Sequence, residues 1–413
     1  MNPRRLRSLL MIVFATSALG PASSAGAIDL SVTGQTMMYP AEKRDGIMGA
    51  VAVPDDGMMQ AGAPLSYTDN GDGTITDNNT GLMWEKKSDD GGLHDKDRNH
   101  AWSLGAATVD TVWDWLDDVN VEGGTGFAGY DDWRLPNAKE LESIVHYENP
   151  TPTVARAFNN HCVAGVTVLT GSCTADKGYW SSTTWARVTS RAWYVSFWDV
   201  DGGLSVGDKD SGYRVRAVRG GSSGPGAFPA TGQITPYPAD KNDGIPGPVA
   251  VPDDGTIRAG APLSFTDNGD GTITDDNTGL VWEKKSNDGS FLHDQYNVYW
   301  WSGNSAEETI WDWLDDLNSA SFGGSKHWRI PNARELLSIV DFQNERAVHA
   351  AFNNNCVPGA TVLTGSCSFT DYWTSTSKAA ASGDAWEVDR YGAVSWSYKG
   401  TTNRVRAVRG GTK

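Results

Sequence analysis

Residues 69–77 read Asp-Asn-Gly-Asp-Gly-Thr-Ile-Thr-Asp, a pattern of acids and glycines that invites a calcium reading. Calcium loops place oxygen ligands at alternating positions, whereas here the carboxylates fall at the first, fourth and ninth places. Asn-Gly and Asp-Gly are also what a tight β-turn needs, because these residues adopt positive φ at little cost. The segment therefore reads as a turn. Asp199, Asp201, Asp208 and Asp210 form a second acidic cluster, but the matching stretch near the C-terminus carries Tyr391, Tyr398 and Gly400 instead. No shared metal site follows, and no cofactor is implied.

Three further patterns suggest catalysis and lose it in context. Gly124-Thr-Gly-Phe-Ala-Gly129 satisfies GxGxxG but opens no helix after a strand. Gly203-Leu-Ser-Val-Gly207 satisfies GxSxG yet lies in an alternating β stretch. His94-Asp95, repeated as His293-Asp294, could be a general base beside an acid, but no nucleophile accompanies it. A surface histidine in a polar loop is expected there, and no catalytic residue anywhere.

The repetition is general. Residues 66–88 return at 264–286 with 20 of 23 positions identical, and Arg214-Val-Arg-Ala-Val-Arg-Gly-Gly221 returns as 404–411. A period of about 190 residues is a whole domain and not a solenoid repeat. Two domains are expected, 33–221 and 231–411, joined by a Gly/Ser/Pro linker at 222–230. The Pro/Gly-rich opening of each, including Val-Ala-Val-Pro-Asp-Asp-Gly at 51–57 and 249–255, reads as an ordered strap belonging to its own domain.

Ahead of both, Arg4, Arg5 and Arg7, an apolar run from Leu9 to Leu19 and Ala25-Gly-Ala27 predict an export signal over 1–27. Cys162 with Cys173 and Cys356 with Cys367 each enclose ten residues. An even count, duplicated spacing and export predict one disulfide per domain. The net charge of −17 becomes −20 once a segment with three arginines and no acid is removed. That field repels nucleic acid and anionic membrane. Neither nucleic-acid partners nor membrane insertion after signal cleavage is expected, and the destination is the periplasm, cell surface or medium.

Short strands are expected at Leu65–Thr68, Thr74–Asp77 and Leu82–Lys86, then a helix over Asp110–Asn120 with Trp113 and Trp115 inward. A second helix should follow Trp133-Arg-Leu-Pro136, with Asn137 as N-cap and Glu140 closing a capping box. Strands return at Tyr179–Thr183, Ala192–Trp198, Leu204–Val206 and Arg214–Val218. Helices gathered between two sets of antiparallel strands indicate an α+β domain.

Thr68-Asp-Asn-Gly-Asp-Gly-Thr74, Thr80-Gly-Leu-Met-Trp84, Asp132-Trp-Arg-Leu-Pro-Asn137, Tyr179-Trp-Ser-Ser-Thr183 and Val215-Arg-Ala-Val-Arg219 occur in this order, with counterparts in the second copy. Together they resemble the Lcl C-terminal domain family, a module of exported bacterial proteins that ends a collagen-like adhesin. More distantly they resemble the formylglycine-generating-enzyme branch of the C-type-lectin-like fold. The resemblance implies two tandem C-type-lectin-like domains and surface recognition of a glycan or a surface protein. It supplies no ligand residues. The adhesin is associated with sulfated glycans, a class that the acidity here disfavours, and the reactive late cysteines of the enzymes are missing.

Agreement between the copies collapses in one place. Between Trp193 and Arg214, only Val195/Val388, Gly202/Gly392, Ser205/Ser395 and Lys209/Lys399 persist. Loops and strand faces on a rigid scaffold are where recognition usually sits. The expected ligand face comprises Phe197, Trp198, Asp199, Asp201, Asp208 and Asp210 in the first copy, and Arg390, Tyr391, Trp396, Tyr398 and Lys399 in the second. The resulting expectation is a non-enzymatic adhesion or recognition protein; a structural subunit of a cell-envelope assembly and a formylglycine-type enzyme are the alternatives.

Overall fold

A computed structural model describes residues 27–44, 49–104, 110–198, 203–221, 228–303, 306–344, 346–368 and 371–411. The expected export signal lies outside the described residues, save Ala27 at its end. No helix among those described is long and apolar enough to cross a membrane.

Each half is α+β. A meander of Tyr67–Asp69, Thr74–Asp77 and Met83–Glu85 is completed by Val218–Arg219 from the end of the half, all antiparallel. Phe265–Asp267, Thr272–Asp275, Val281–Glu283 and Val408–Arg409 repeat it. The Asn-Gly-Asp-Gly segment is a turn, as its sequence requires. Asp69 and Asp72 accept the backbone N–H groups of Gly71 and Thr74 at 3.0 Å each.

A three-stranded sheet of Gly178–Thr184, Arg191–Ser196 and Gly203–Asp208 carries the late hairpin. Tyr372–Ser377, Asp384–Val388 and Val394–Tyr398 are its counterpart. Outside the straps, which carry the short helices Asp56–Met59 and Asp254–Ile257, the described α-helices are Val112–Val121 and Ala138–Glu142, with Ile310–Ser319 and Ala333–Ser338 in the second half. Asn137 and Glu140 form the expected capping box, and so do Asn332 and Glu335. The strand expected over Arg214–Val218 is interrupted: Arg214 makes an isolated parallel bridge with Tyr179, and strand pairing resumes only at Val218.

The straps do not cover their own halves. In the first strap, a parallel bridge of Ser31 with Ala63 closes the two ends on each other, and the described residues between them lie across the second half. There Tyr39, Ala41 and Val53 are buried among Trp301, Trp311 and Trp313. Gln35 exchanges two hydrogen bonds with Ser377, at 2.7 and 3.0 Å. Residues 228–262 do the reverse. Ala239 and Val251 are buried with Trp102 and Trp113, and Gln233 pairs with Thr184 at 2.8 and 3.1 Å. Each strap also turns sharply on itself. A Cβ on Gly57 would fall 1.9 Å from the Met37 carbonyl oxygen, and one on Gly255 2.0 Å from that of Thr235, so only glycine fits.

The apolar interior follows this exchange. One cluster per half is closed by the other half's strap, and a third runs through both halves, joining Trp84 and Trp193 to Trp282 and Trp386. At the join, Lys139 donates to the Ser338 carbonyl at 2.9 Å, and Arg334 donates to the Val145 carbonyl. Sequence repeat and folded unit therefore do not coincide.

Candidate functional site

The late hairpins meet across the join. A Cβ on Gly203 would lie 2.1 Å from the Val394 carbonyl oxygen, and Tyr391 packs edge-on against Trp185 of the first half, with Arg187 4.8 Å above its ring. Much of the expected ligand face is thus spent on packing. Phe197 is fully buried, edge-on to Tyr179 at 5.1 Å, and is a core residue and not a contact. Its place at the end of an alternating strand, two residues after the buried Val195, turns it inward.

Lys399 is also buried, with its ammonium 3.7 Å from the ring centre of Trp301 and 5.0 Å from that of the strap residue Tyr39. Its Nζ donates to Ser377 Oγ at 2.7 Å. Asp199 and Asp201 lie outside the described residues. Trp198, Asp208, Asp210, Arg390, Trp396 and Tyr398 are exposed, and Tyr391 is half-buried.

The exposed residues do not form one surface of one kind. Trp396 and Tyr398 project from Val394–Tyr398, with the Lys378 ammonium 3.7 Å above the indole. Asp208 and Asp210 stand at the base of the first hairpin, where Arg191 pairs with Asp208 at 2.7 Å. They border an open cleft of about 360 Å³ whose other walls are Ser103, Thr189, Ser190, Lys209 and Pro238. Pro238 comes from the strap of the second half. Lys209, 7 % exposed, forms the floor and lies 3.5 Å above Trp102. Burial lowers its ammonium to about pKa 7, and the Asp253 carboxylate opposes that only in part.

His94 corrects another expectation: it is buried, not on the surface. Its Nδ1 meets Glu85 at 2.7 Å and its Nε2 meets Glu122 at 2.9 Å. Glu85 also accepts from Lys87 Nζ at 2.8 Å and the Ala217 N–H at 2.7 Å. Burial alone would raise this carboxyl, but the Lys87 charge and the His94 hydrogen bond outweigh it and hold it at about 2. Arg216 donates to the carbonyls of Glu85 and Cys173, tying the network to the disulfide. Glu283, Lys285, His293 and Arg406 repeat this arrangement except for the Glu122 contact, since Ala320 stands at that place in the second half. The Trp-Glu-Lys-Lys and Val-Arg-Ala-Val-Arg repeats are thus structural clamps.

Both disulfides are formed, Cys162–Cys173 and Cys356–Cys367. Asp89, Asp95 and Asp97 bring three carboxylates within 4.8 Å of one another. Lys96 sits between two of them, at 3.2 Å from Asp89 and 2.5 Å from Asp97, and the second half has Asn287 and Tyr296 at the outer positions.

The Lcl C-terminal domain family matches residues 73–219 and again 271–409. The chain belongs to that family. Both Lcl C-terminal copies begin after their straps, so the exchanged segments lie outside the matched module. No curated protein matches the chain.

Proposed function

We propose that this tandem Lcl C-terminal protein is an exported, non-enzymatic recognition protein that holds a glycan or protein ligand on surfaces beside its late hairpins. The observation that carries the reading is a register comparison on a shared scaffold. Asp208 pairs opposite Arg191, and the equivalent Tyr398 opposite Asp384; Val206 pairs opposite Trp193, and the equivalent Trp396 opposite Trp386. One copy offers carboxylates around a cleft and the other exposed aromatic faces, on frames whose capping boxes, disulfides and charge clamps are the same. Exposed aromatic rings supply flat apolar area with low entropy cost, and carboxylates orient hydroxyl or amine donors. The order of meander, capped helix after Trp-Arg-Leu-Pro, and closing hairpin supports a C-type-lectin-like arrangement. Every described cysteine is in a disulfide, which supports export and disfavours chemistry of the formylglycine-generating type.

A structural role has one observation of its own. Val163 and Leu169 are exposed on the first disulfide loop, and Val357 and Leu363 at the same places on the second. Repeated apolar side chains in water favour an assembly contact.

The test is retention of the full chain on glycan and cell-surface-protein arrays, against Trp396→Ala/Tyr398→Ala and Asp208→Ala/Asp210→Ala variants. Recognition predicts a ligand whose retention falls about tenfold in one variant or the other. A higher oligomer that retains nothing would favour the structural role instead.

A further inference from the structure

The two buried hairpin lysines differ in one respect. Lys399 donates to Ser377 Oγ at 2.7 Å. Strand register sets Thr184 opposite Ala192 and Ser377 opposite Ala385, so Thr184 takes the place of Ser377 in the first half. There the pair is not made. Thr184 Oγ1 is buried without a hydrogen-bond partner. Lys209 Nζ has no hydrogen-bond partner among the described residues: it lies over the rings of Trp102 at 3.5 Å and Tyr237 at 5.6 Å, and the Asp253 carboxylate acts on it only through its charge. An ammonium has three donors and no acceptor capacity, and with no protein oxygen bonded to it this one leaves its donors to whatever enters the cleft. This group lines the open cleft of about 360 Å³.

Resting on the recognition reading above, we propose that the Lys209 cleft is a binding site for an uncharged, hydroxyl-rich ligand, a neutral oligosaccharide segment, built jointly by both halves.

The chemistry follows from the lining. Lys209 needs an oxygen acceptor, and Asp208 and Asp210 at the rim accept from hydroxyl donors, so a ligand must both donate and accept. Sugar hydroxyls do both. An anionic ligand meets Asp208 and Asp210 at the rim and Asp240 behind Ser103, which accepts from that serine at 2.8 Å. These carboxylates, in a chain of net charge −17, oppose a sulfate or carboxylate group at the cleft. The volume falls in the lower part of the ~300–1,000 Å³ range of small-ligand sites. Pro238 and Asp240 belong to the strap of the second half, so the first copy's site is incomplete without the second.

The test titrates the full chain by calorimetry with cellohexaose, mannohexaose, maltohexaose and chitohexaose, and with a sulfated heparin hexasaccharide as the anionic probe. At least one neutral oligosaccharide should bind, and Lys209→Met and Asp210→Asn should each weaken it about tenfold or more. Asp210 is exposed, so its variant tests the site without threatening the fold. Lys399→Met, whose amine already has Ser377, should leave the affinity unchanged. Absence of binding by every neutral probe would overturn the proposal, as would tighter binding of the heparin probe or affinity indifferent to both Lys209→Met and Asp210→Asn. Binding lost only on Trp396→Ala/Tyr398→Ala would overturn the cleft while leaving recognition in place. A purely hydrated Lys209 would give the first of these results.

Discussion

The Asp56 carboxylate, in the strap of the first half, accepts a hydrogen bond at 2.7 Å from the hydroxyl of Thr376 in the second half, 320 residues away. Asp254 accepts from Thr183 at the same distance in the opposite direction. Each strap thus ends in a buried acid held by a threonine of the other half and by one of its own, Thr33 at 2.6 Å and Thr231 at 2.6 Å. The two copies are clasped by exchange and not merely tethered by a linker.

Cleaving the chain between residues 221 and 228 should therefore leave the halves together. With a protease site placed there, the nicked protein should elute at the size of the intact chain and unfold in one transition. Two half-sized species in native buffer would show that the strap contacts are too weak to hold the fold.

The strap acids set a pH dependence. Burial raises Asp56 to about 6 and Asp254 to about 7, against the hydroxyl hydrogen bonds that favour the carboxylate. A folded value above the unfolded one means that the contribution is complete below about pH 4 and is lost as pH rises through 6 to 7. An Asp56→Asn/Asp254→Asn protein should thus gain on wild type between pH 5 and pH 8, by on the order of a few kcal/mol. The lysines Lys209 and Lys399 titrate with the opposite sign, but they are common to both proteins and cancel in the difference. Denaturant unfolding at the two pH values measures it; the same difference at both would refute the assignment.

How much of this was legible depends on range. The capping boxes, the meander turns and the disulfides are encoded within a few residues, and Asn137 with Glu140 could be placed from spacing alone. The strap exchange could not, because Ala41 and Val53 read as buried whichever Trp-rich surface covers them. Divergence between the copies points Phe197 to the surface, yet divergence reports freedom to change and not exposure. The His94 clamp left a local sign in the repeated Trp-Glu-Lys-Lys and His-Asp segments, although its partner Glu122 is far along the chain. For Lys209 the sequence shows only that it is retained in both copies; its missing partner depends on Thr184 standing where the second half has Ser377.

The Glu85 clamp should be among the costliest positions to alter. Glu85→Gln removes the charge that Lys87 and His94 face in the interior, and breaking a buried pair on one side typically costs about 3–5 kcal/mol. Chemical denaturation should show that loss. A change below about 1 kcal/mol would mean that the pair contributes no more than a surface ion pair.

Removing either disulfide should cost less. Each closes a short loop, for which the chain-entropy model expects about 2–3 kcal/mol. Cys162→Ser/Cys173→Ser, compared with reduced wild type, should lower the melting temperature without dissolving the fold, since Arg216 still binds the Cys173 carbonyl. Complete unfolding on reduction would show that the clamp depends on the bridge.

Substitutions along the hairpins separate core from surface. Phe197→Ala should cost about 3–5 kcal/mol, the range for a buried aromatic. Tyr398→Ala should stay within about 0.5 kcal/mol of wild type, as for an exposed side chain outside any buried network. Trp396 is 37 % exposed and stacked with Lys378, so Trp396→Ala should fall between them. Thermal unfolding of the three variants orders them. If Tyr398→Ala were as damaging as Phe197→Ala, the second copy's aromatic face would be part of the packed interior and unable to meet a ligand.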